Sequence, residues 1–140
     1  MKKFSTSWKS SRKPKKQRKY AAKAPLHIKR SFLNANLSKE LRKRYERRSF
    51  TLKKGDVVKI MRGNFKKKTG KIVKVDTKNM KAEIEGIQMK KQDGSKVNVK
   101  FNPAFLQITE LNIEDKKRNE SIIRSKKKIE AQKGEKKNAP

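Results

Sequence analysis

The chain has no cysteine, a single histidine and only 13 acidic residues among its 140. Without thiols there can be no disulfide, no thiolate catalysis and no Cys-based zinc site, and the absence fits a reducing compartment, the cytoplasm. His27 stands alone, so neither a His-ligated metal nor a nucleophile ordered by histidine has the partners it needs. Among the few acids, Asp56 and the pair Glu114-Asp115 are the candidates for holding a cation. Asp56 falls in a turn signal, however, and Glu114-Asp115 reads as a helix start, where carboxylates meet exposed N–H groups. No catalytic residue, metal site, cofactor or small-molecule substrate is therefore expected. Long apolar runs are missing as well. No stretch approaches the roughly 20 residues that span a bilayer, and no basic segment carries a continuous apolar face, so membrane insertion is not expected. No apolar stretch follows Met1-Lys2-Lys3-Phe4-Ser5, so a secretory signal is not expected either.

What the chain has in abundance is positive charge: 43 Lys and Arg, a formal net charge of +30, and charged residues making up 40% of the sequence. Such a surface repels itself and calls for a polyanion, and nucleic acid fits, because each phosphate neutralised by Lys or Arg releases condensed counterions. Apolar residues make up 31%, too few to bury the whole chain, so one small domain with solvated extensions is expected. The chain is expected to divide into a basic RNA-binding extension over 1–49 with a short helix near 38–48, a β-barrel over 50–112, and a basic tail over 113–140, partly helical or disordered.

The extension carries 13 of the 43 basic residues between positions 1 and 39, with no acid before Glu40. Arg12, Lys13, Lys15, Lys16, Arg18, Lys19 and Lys23 form its densest part, followed by His27, Lys29 and Arg30. Trp8, Tyr20 and Phe32 interrupt these cations, and planar groups among cations are what unpaired bases stack against. The bland alternatives are a solvated tail and, for the rings, docking on the folded domain. Further on, Ser38 reads as a helix N-cap with Glu40 in the first turn, and Leu37, Leu41 and Tyr45 supply a narrow apolar stripe. Arg42, Lys43, Arg44, Arg47 and Arg48 would then face outward, toward phosphates.

From Phe50 the apolar period becomes two. Val58 and Ile60; Ile72, Val73 and Val75; Met80, Ala82 and Ile84; Val97, Val99 and Phe101; and Leu106 and Ile108 read as successive short strands. Lys54-Gly55-Asp56, the stretch Gly63 to Gly70, Thr77-Lys78-Asn79 and Asp93-Gly94 supply the turns, the last as a type I′ signal, with Asn102-Pro103 bending the chain before the final strand. Strands this short and close suggest closure into a small barrel, which removes exposed edges. Between Gly63 and Gly70, a hairpin would project Lys66, Lys67 and Lys68 beside Phe65, with Arg62 and Lys71 flanking it, a suitable surface for phosphate. A P-loop is excluded there: six residues separate the glycines and Ile72 follows Lys71, whereas four residues and a Ser or Thr are required. After Leu111 apolar residues thin to Ile122, Ile123 and Ile129, so the tail is expected to add little core, and 133–140 to be mobile.

The run from Lys54 through Gly55-Asp56-Val57-Val58 and Gly63-Asn64-Phe65-Lys66-Lys67-Lys68-Thr69-Gly70-Lys71-Ile72 to Asp76 resembles a KOW motif, the RNA-associated element of certain ribosomal proteins and transcription elongation factors. With Ala24-Pro25-Leu26-His27, Leu37-Ser38-Lys39-Glu40-Leu41-Arg42, Arg48-Ser49 and Ile108 to Lys116, it resembles the archaeal and eukaryotic branch of the large-subunit ribosomal protein family numbered twenty-four, over roughly residues 12 to 118. The resemblance implies a mainly β fold, an SH3-like barrel with a basic N-terminal extension. It also implies a place in the first domain of the large rRNA near the peptide exit tunnel, neighbouring large-subunit proteins as partners, and a part in early subunit assembly. Two positions depart from the family pattern: Lys67 stands where Gly is usual, and Phe101-Asn102-Pro103-Ala104 where an Ile-His-Pro-Ser-like run is common. The rival readings are a KOW elongation factor, which would need an α/β domain that residues 1–49 are too basic to form, and a DNA-compacting protein, which would leave the KOW run unexplained.

Overall fold

The computed structural model describes residues 4–124; Ile129 and the tail end 133–140 named above lie outside that range. Two helices open the chain, α1 (Pro14–Lys23) and α2 (Leu26–Phe32), followed by β1 (Asn34–Leu37), α3 (Lys39–Tyr45) and β2 (Ser49–Thr51). Then come β3 (Val57–Ile60), β4 (Thr69–Asp76), β5 (Lys81–Lys90), β6 (Lys96–Phe101), a 3₁₀ turn (Pro103–Phe105) and β7 (Leu106–Glu110). Residues 116–124 form a fourth helix, α4.

The seven strands make one sheet in the order β2-β1-β7-β3-β4-β5-β6. All neighbours are antiparallel except β1 and β7, which run parallel. Strands from both ends of this order meet in one apolar cluster: Ala35, Leu37 and Phe50 from β1 and β2, and Ala82, Ile84, Ile87 and Phe101 from β5 and β6. A flat sheet could not bring these together, so the sheet curls on itself as a small barrel, the mainly β architecture that the alternation anticipates. Val58 and Ile60, Ile72, and Leu106 and Ile108 line the interior at 0–1% exposure, each stabilising the fold by about 1.5–3 kcal/mol. Their neighbours Val57, Lys59, Gln107 and Thr109 are half-buried, as the two-residue period requires.

Two glycines of the KOW run have distinct physical reasons. Gly55 has φ of 91°, and a Cβ there would lie 2.6 Å from Asn112 Nδ2. Gly70 pairs with Val58 in β4, and its Cβ would lie 2.6 Å from Ile84 Cγ2 and 3.0 Å from the Glu85 carbonyl oxygen. Only glycine lets β4 and β5 come this close.

Several details differ from the sequence-based expectation. Met80 does not start a strand: it has φ of 55° and closes the β4–β5 turn, where Asp76 accepts hydrogen bonds from Asn79 N at 3.0 Å and Nδ2 at 2.7 Å. Those two bonds hold the Asp76 carboxyl below the usual carboxylate range. Asp93-Gly94 does sit in a hairpin, but not of type I′. Gly94 alone has positive φ, 84°, and its N–H donates to Lys91 O while Lys91 N–H donates to Ser95 O. That is a type I turn followed by a left-handed residue. Barrel pairing also starts upstream of residue 50: β1 pairs with β2 (Ala35↔Phe50) and with β7 (Leu37↔Ile108). Leu37 therefore belongs to a strand, and of the expected apolar stripe only Leu41 and Tyr45 are in α3, Tyr45 buried at 7% exposure.

The largest difference lies at the C-terminal end. Ile122 of α4, 6% exposed, belongs to the barrel core, and Arg118, 4% exposed, reaches under it to Asp56, which is fully buried. The guanidinium donates from one terminal nitrogen to Asp56 Oδ1 at 2.6 Å and from the other to Oδ2 at 2.8 Å. The same nitrogens also donate to Asn112 O at 2.8 Å and Thr51 O at 3.1 Å. Asp56 further accepts from the Lys53 and Asn112 backbone N–H groups, and Arg118 lies over the Phe50 ring, 5.1 Å from its centroid. Asp115 caps α4, its Oδ1 accepting from Arg118 N, and pairs with Lys53. The carboxylate considered as a cation holder thus holds a cation, but an arginine of its own chain.

Candidate nucleic-acid interface

The basic loop between β3 and β4 is rigid at its root. Ile60 O accepts from Lys67 N at 2.8 Å, and Ile60 N donates to Lys68 O at 2.9 Å. Two residues thus face one, a bulge whose first residue normally needs glycine in the left-handed region. Lys67 takes that conformation with φ of 74°. The departure at this position therefore preserves the backbone and exchanges local strain for an added cation. Lys67→Gly is expected to raise the unfolding free energy by about 0.5–1 kcal/mol, the relief of left-handed strain less the entropy of glycine. A urea melt checks this, and a lower midpoint would contradict it. Arg62, Lys66, Lys67, Lys68 and Lys71 are all exposed. Phe65 turns inward, edge-on to Phe101 with centroids 6.0 Å apart, and Lys68 sits over its outer face at 5.4 Å. The ring closes the barrel floor while the ammonium groups stand clear of it.

At Asn102, the other departure, the side chain caps the 3₁₀ turn, Oδ1 accepting from Ala104 N at 3.0 Å. Phe105, the last residue of that turn, accepts at its carbonyl from Met61 N at 2.8 Å. This ties the root of the basic loop to the turn beside β1.

α3 begins as its sequence dictates, with Ser38 Oγ accepting from Leu41 N at 3.3 Å. Its arginines split in role. Arg42 Nε donates to Leu37 O at 2.8 Å, and half-buried Arg47 lies over Phe50 at 4.9 Å, so both spend their apolar stems on the barrel. Arg44, over Tyr45 at 5.5 Å, and Arg48 remain exposed.

The extension is folded back rather than free-standing. Leu33, 1% exposed, seals the end of α2, and Lys29 Nζ donates to Lys78 O at 3.4 Å. Tyr20 is 7% exposed, with Phe4 at 5.2 Å and Phe32 at 6.2 Å between ring centroids. Tyr20 is therefore buried against other rings, whereas Trp8 remains exposed. Arg12, Lys13, Lys15, Arg18, Lys19, Lys23, His27 and Arg30 are exposed, and Lys16 is half-exposed. With no acid in α1 or α2, nothing local offsets them. Where this surface meets the barrel, Lys53 is pushed below the ordinary lysine range by desolvation first, then by Arg118 and Arg30, against the pull of Asp56.

Among the described residues, Lys53–Asp115, Lys100–Glu83 and Arg118–Asp56 are ion pairs that brace the barrel, and each of the three uses a cation from outside residues 12–48 and 61–71. Among the described residues no group of His, Cys, Asp and Glu is arranged to hold a metal, and no helix is long and apolar enough to cross a membrane. The pair missed by sequence reasoning, Asp56–Arg118, is separated by 62 positions; its only local signal was an acid inside a turn.

Comparison with known proteins bears on what such a surface is for. The family described as the eukaryotic ribosomal proteins L26 and their archaeal counterparts numbered twenty-four matches residues 11–126. The chain is 40% identical over 114 residues to a protein of Methanosphaera stadtmanae called large ribosomal subunit protein uL24, covering 81% of this chain and 97% of that one. It is 41% identical over 112 residues to the protein of the same description from Methanospirillum hungatei, covering 80% and 93%.

Proposed function

Since the chain belongs to the family of the eukaryotic L26 ribosomal proteins and their archaeal counterparts, structural constituents of the cytoplasmic large ribosomal subunit rather than enzymes, we propose that it holds rRNA segments in a fixed mutual geometry. The site is the first domain of the large rRNA near the peptide exit tunnel, and binding there helps initiate subunit assembly. Neighbouring large-subunit proteins complete its surroundings.

One observation carries this reading: α1, α2 and the β3–β4 loop present exposed cations and contain no acid, while Asp56, Glu83 and Asp115 pair with cations outside these segments and brace the barrel. Phosphate oxygens supply the missing charge, and phosphate contacts fix register without reading sequence. A rigid barrel presenting a strained loop is a shape reader of the kind that structured RNA requires. In this reading the α1–α2 segment adds a cationic face beside the barrel, and the barrel supplies orientation.

The test is the salt dependence of binding to a large-subunit rRNA fragment. If six to ten phosphates are neutralised, affinity falls by roughly 10³ to 10⁵ between about 50 and 200 mM salt. A flat response, or equal affinity for duplex DNA of the same length, would contradict the proposal and favour the architectural alternative.

A further inference from the structure

Between the N-terminal turn and α1 lies a hollow of about 290 Å³ whose walls include Phe4, Trp8, Tyr20, Lys19 and Lys23. Its size is near the bottom of the roughly 300–1,000 Å³ typical of small-molecule sites, which suits a single planar group. The hollow is built, not incidental. Gln17 of α1 turns its side-chain amide toward the turn and shares its two hydrogens among Ser11 O at 2.6 Å, Lys9 O at 3.1 Å and Trp8 O at 3.2 Å. That fastens the segment bearing Trp8 across the helix. Behind it, Phe4 and Phe32 clamp Tyr20, so the inner wall is fixed. Trp8 forms the outer wall, 37% exposed, with Lys16 Nζ 5.7 Å and Lys19 Nζ 6.0 Å from its ring centroid.

An exposed indole at the mouth of an apolar hollow, ringed by ammonium groups with no acid nearby, has one complementary ligand chemistry: a flat, uncharged ring attached to anions. We propose that this hollow receives one unstacked nucleobase of the bound RNA, stacked on Trp8, with the flanking phosphates on Lys19 and Lys23. The proposal rests on the RNA-binding reading above and adds a specific receptor to it. Lys16 and Lys19 hold the indole in place before binding through exposed cation–π contacts, which are weak enough for a base to displace. Base–aromatic stacking then supplies affinity for unpaired nucleotides that a duplex of equal charge cannot match. Gln17 acts as a positioning residue, since it touches the wall and not the base.

Trp8 is the only tryptophan, so its emission reports on this site alone. The full chain would be titrated with oligoadenylate and with the oligoadenylate–oligouridylate duplex, following Trp8 fluorescence and, separately, retention of labelled RNA on a filter. Saturable quenching by the single strand and not by the duplex is expected. Trp8→Leu should weaken single-strand binding by roughly 5- to 150-fold, the value of one base–aromatic stack, with Trp8→Phe restoring most of it and duplex retention unchanged in both. Circular dichroism confirms that the variants fold, and Gln17→Ala, which leaves the ring intact, should reduce quenching. Filter retention without quenching, or equal quenching by duplex, overturns the receptor and leaves the RNA-binding reading standing. No retention of either RNA overturns both.

Discussion

Replacing Arg118 by alanine is expected to lower the unfolding free energy by about 3–5 kcal/mol, the range seen when one member of a buried ion pair is removed. Asp56 would keep its two backbone donors, Lys53 N and Asn112 N, but lose both guanidinium contacts while remaining fully buried. A buried carboxylate without its countercharge is what makes the loss large. Arg118 also cross-links Thr51 O and Asn112 O, so the variant loosens the ends of β2 and β7 and releases α4. Asp56→Ala should cost a similar amount, because it strands the guanidinium and two backbone N–H groups. The double variant should cost clearly less than the two single losses added, since the residues contact one another. Arg118→Met separates packing over Phe50 from charge. Urea melts followed by circular dichroism measure all four; a loss below about 1 kcal/mol for Arg118→Ala would place the bracing of the barrel elsewhere.

Neutralising Arg12, Lys13, Lys15 and Arg18 together with glutamine is expected to weaken binding to a large-subunit rRNA fragment by about 10³ near physiological salt. Each lost phosphate contact lowers the salt exponent by about 0.9, which near 0.15 M amounts to roughly fivefold. The corresponding triple change at Lys66, Lys67 and Lys68 should cost about 10² and lower the exponent by about three. Because these contacts position the protein without reading bases, the loss should be nearly uniform across RNA sequences of similar shape. All seven side chains are exposed, so stability should change little. Filter binding at several salt concentrations checks both sets. An unchanged exponent in either would remove that segment from the interface.

The cations of the extension can be picked out from charge runs, because a segment with no acid between Arg12 and Lys39 has no internal use for them. The strands are likewise visible in the alternation of Val58-Lys59-Ile60 and Leu106-Gln107-Ile108, since an apolar period of two buries one face of a strand and no continuous face of a helix. Ser38 announces α3 for an equally local reason, a hydroxyl placed to accept from an N–H three residues on.

Features that depend on distant partners are hidden at that level. Glycine preference at position 67 suggests a changed loop, yet pairing of Ile60 with both Lys67 and Lys68 forces the left-handed backbone on a lysine. Tyr20 looks like a stacking platform among cations until Phe4 and Phe32 cover it. Arg118 looks like one more charge in a basic tail, because nothing near it in sequence reveals that a buried carboxylate 62 positions away awaits it. Charge, periodicity and turn chemistry are sums over neighbours in the chain, and they suffice for most strands of the barrel and for the basic character of the extension. Which aromatic faces stay open, which arginines brace and which remain free to bind, and how α4 locks the barrel are matters of burial, and burial is set by residues that meet only after the chain has folded.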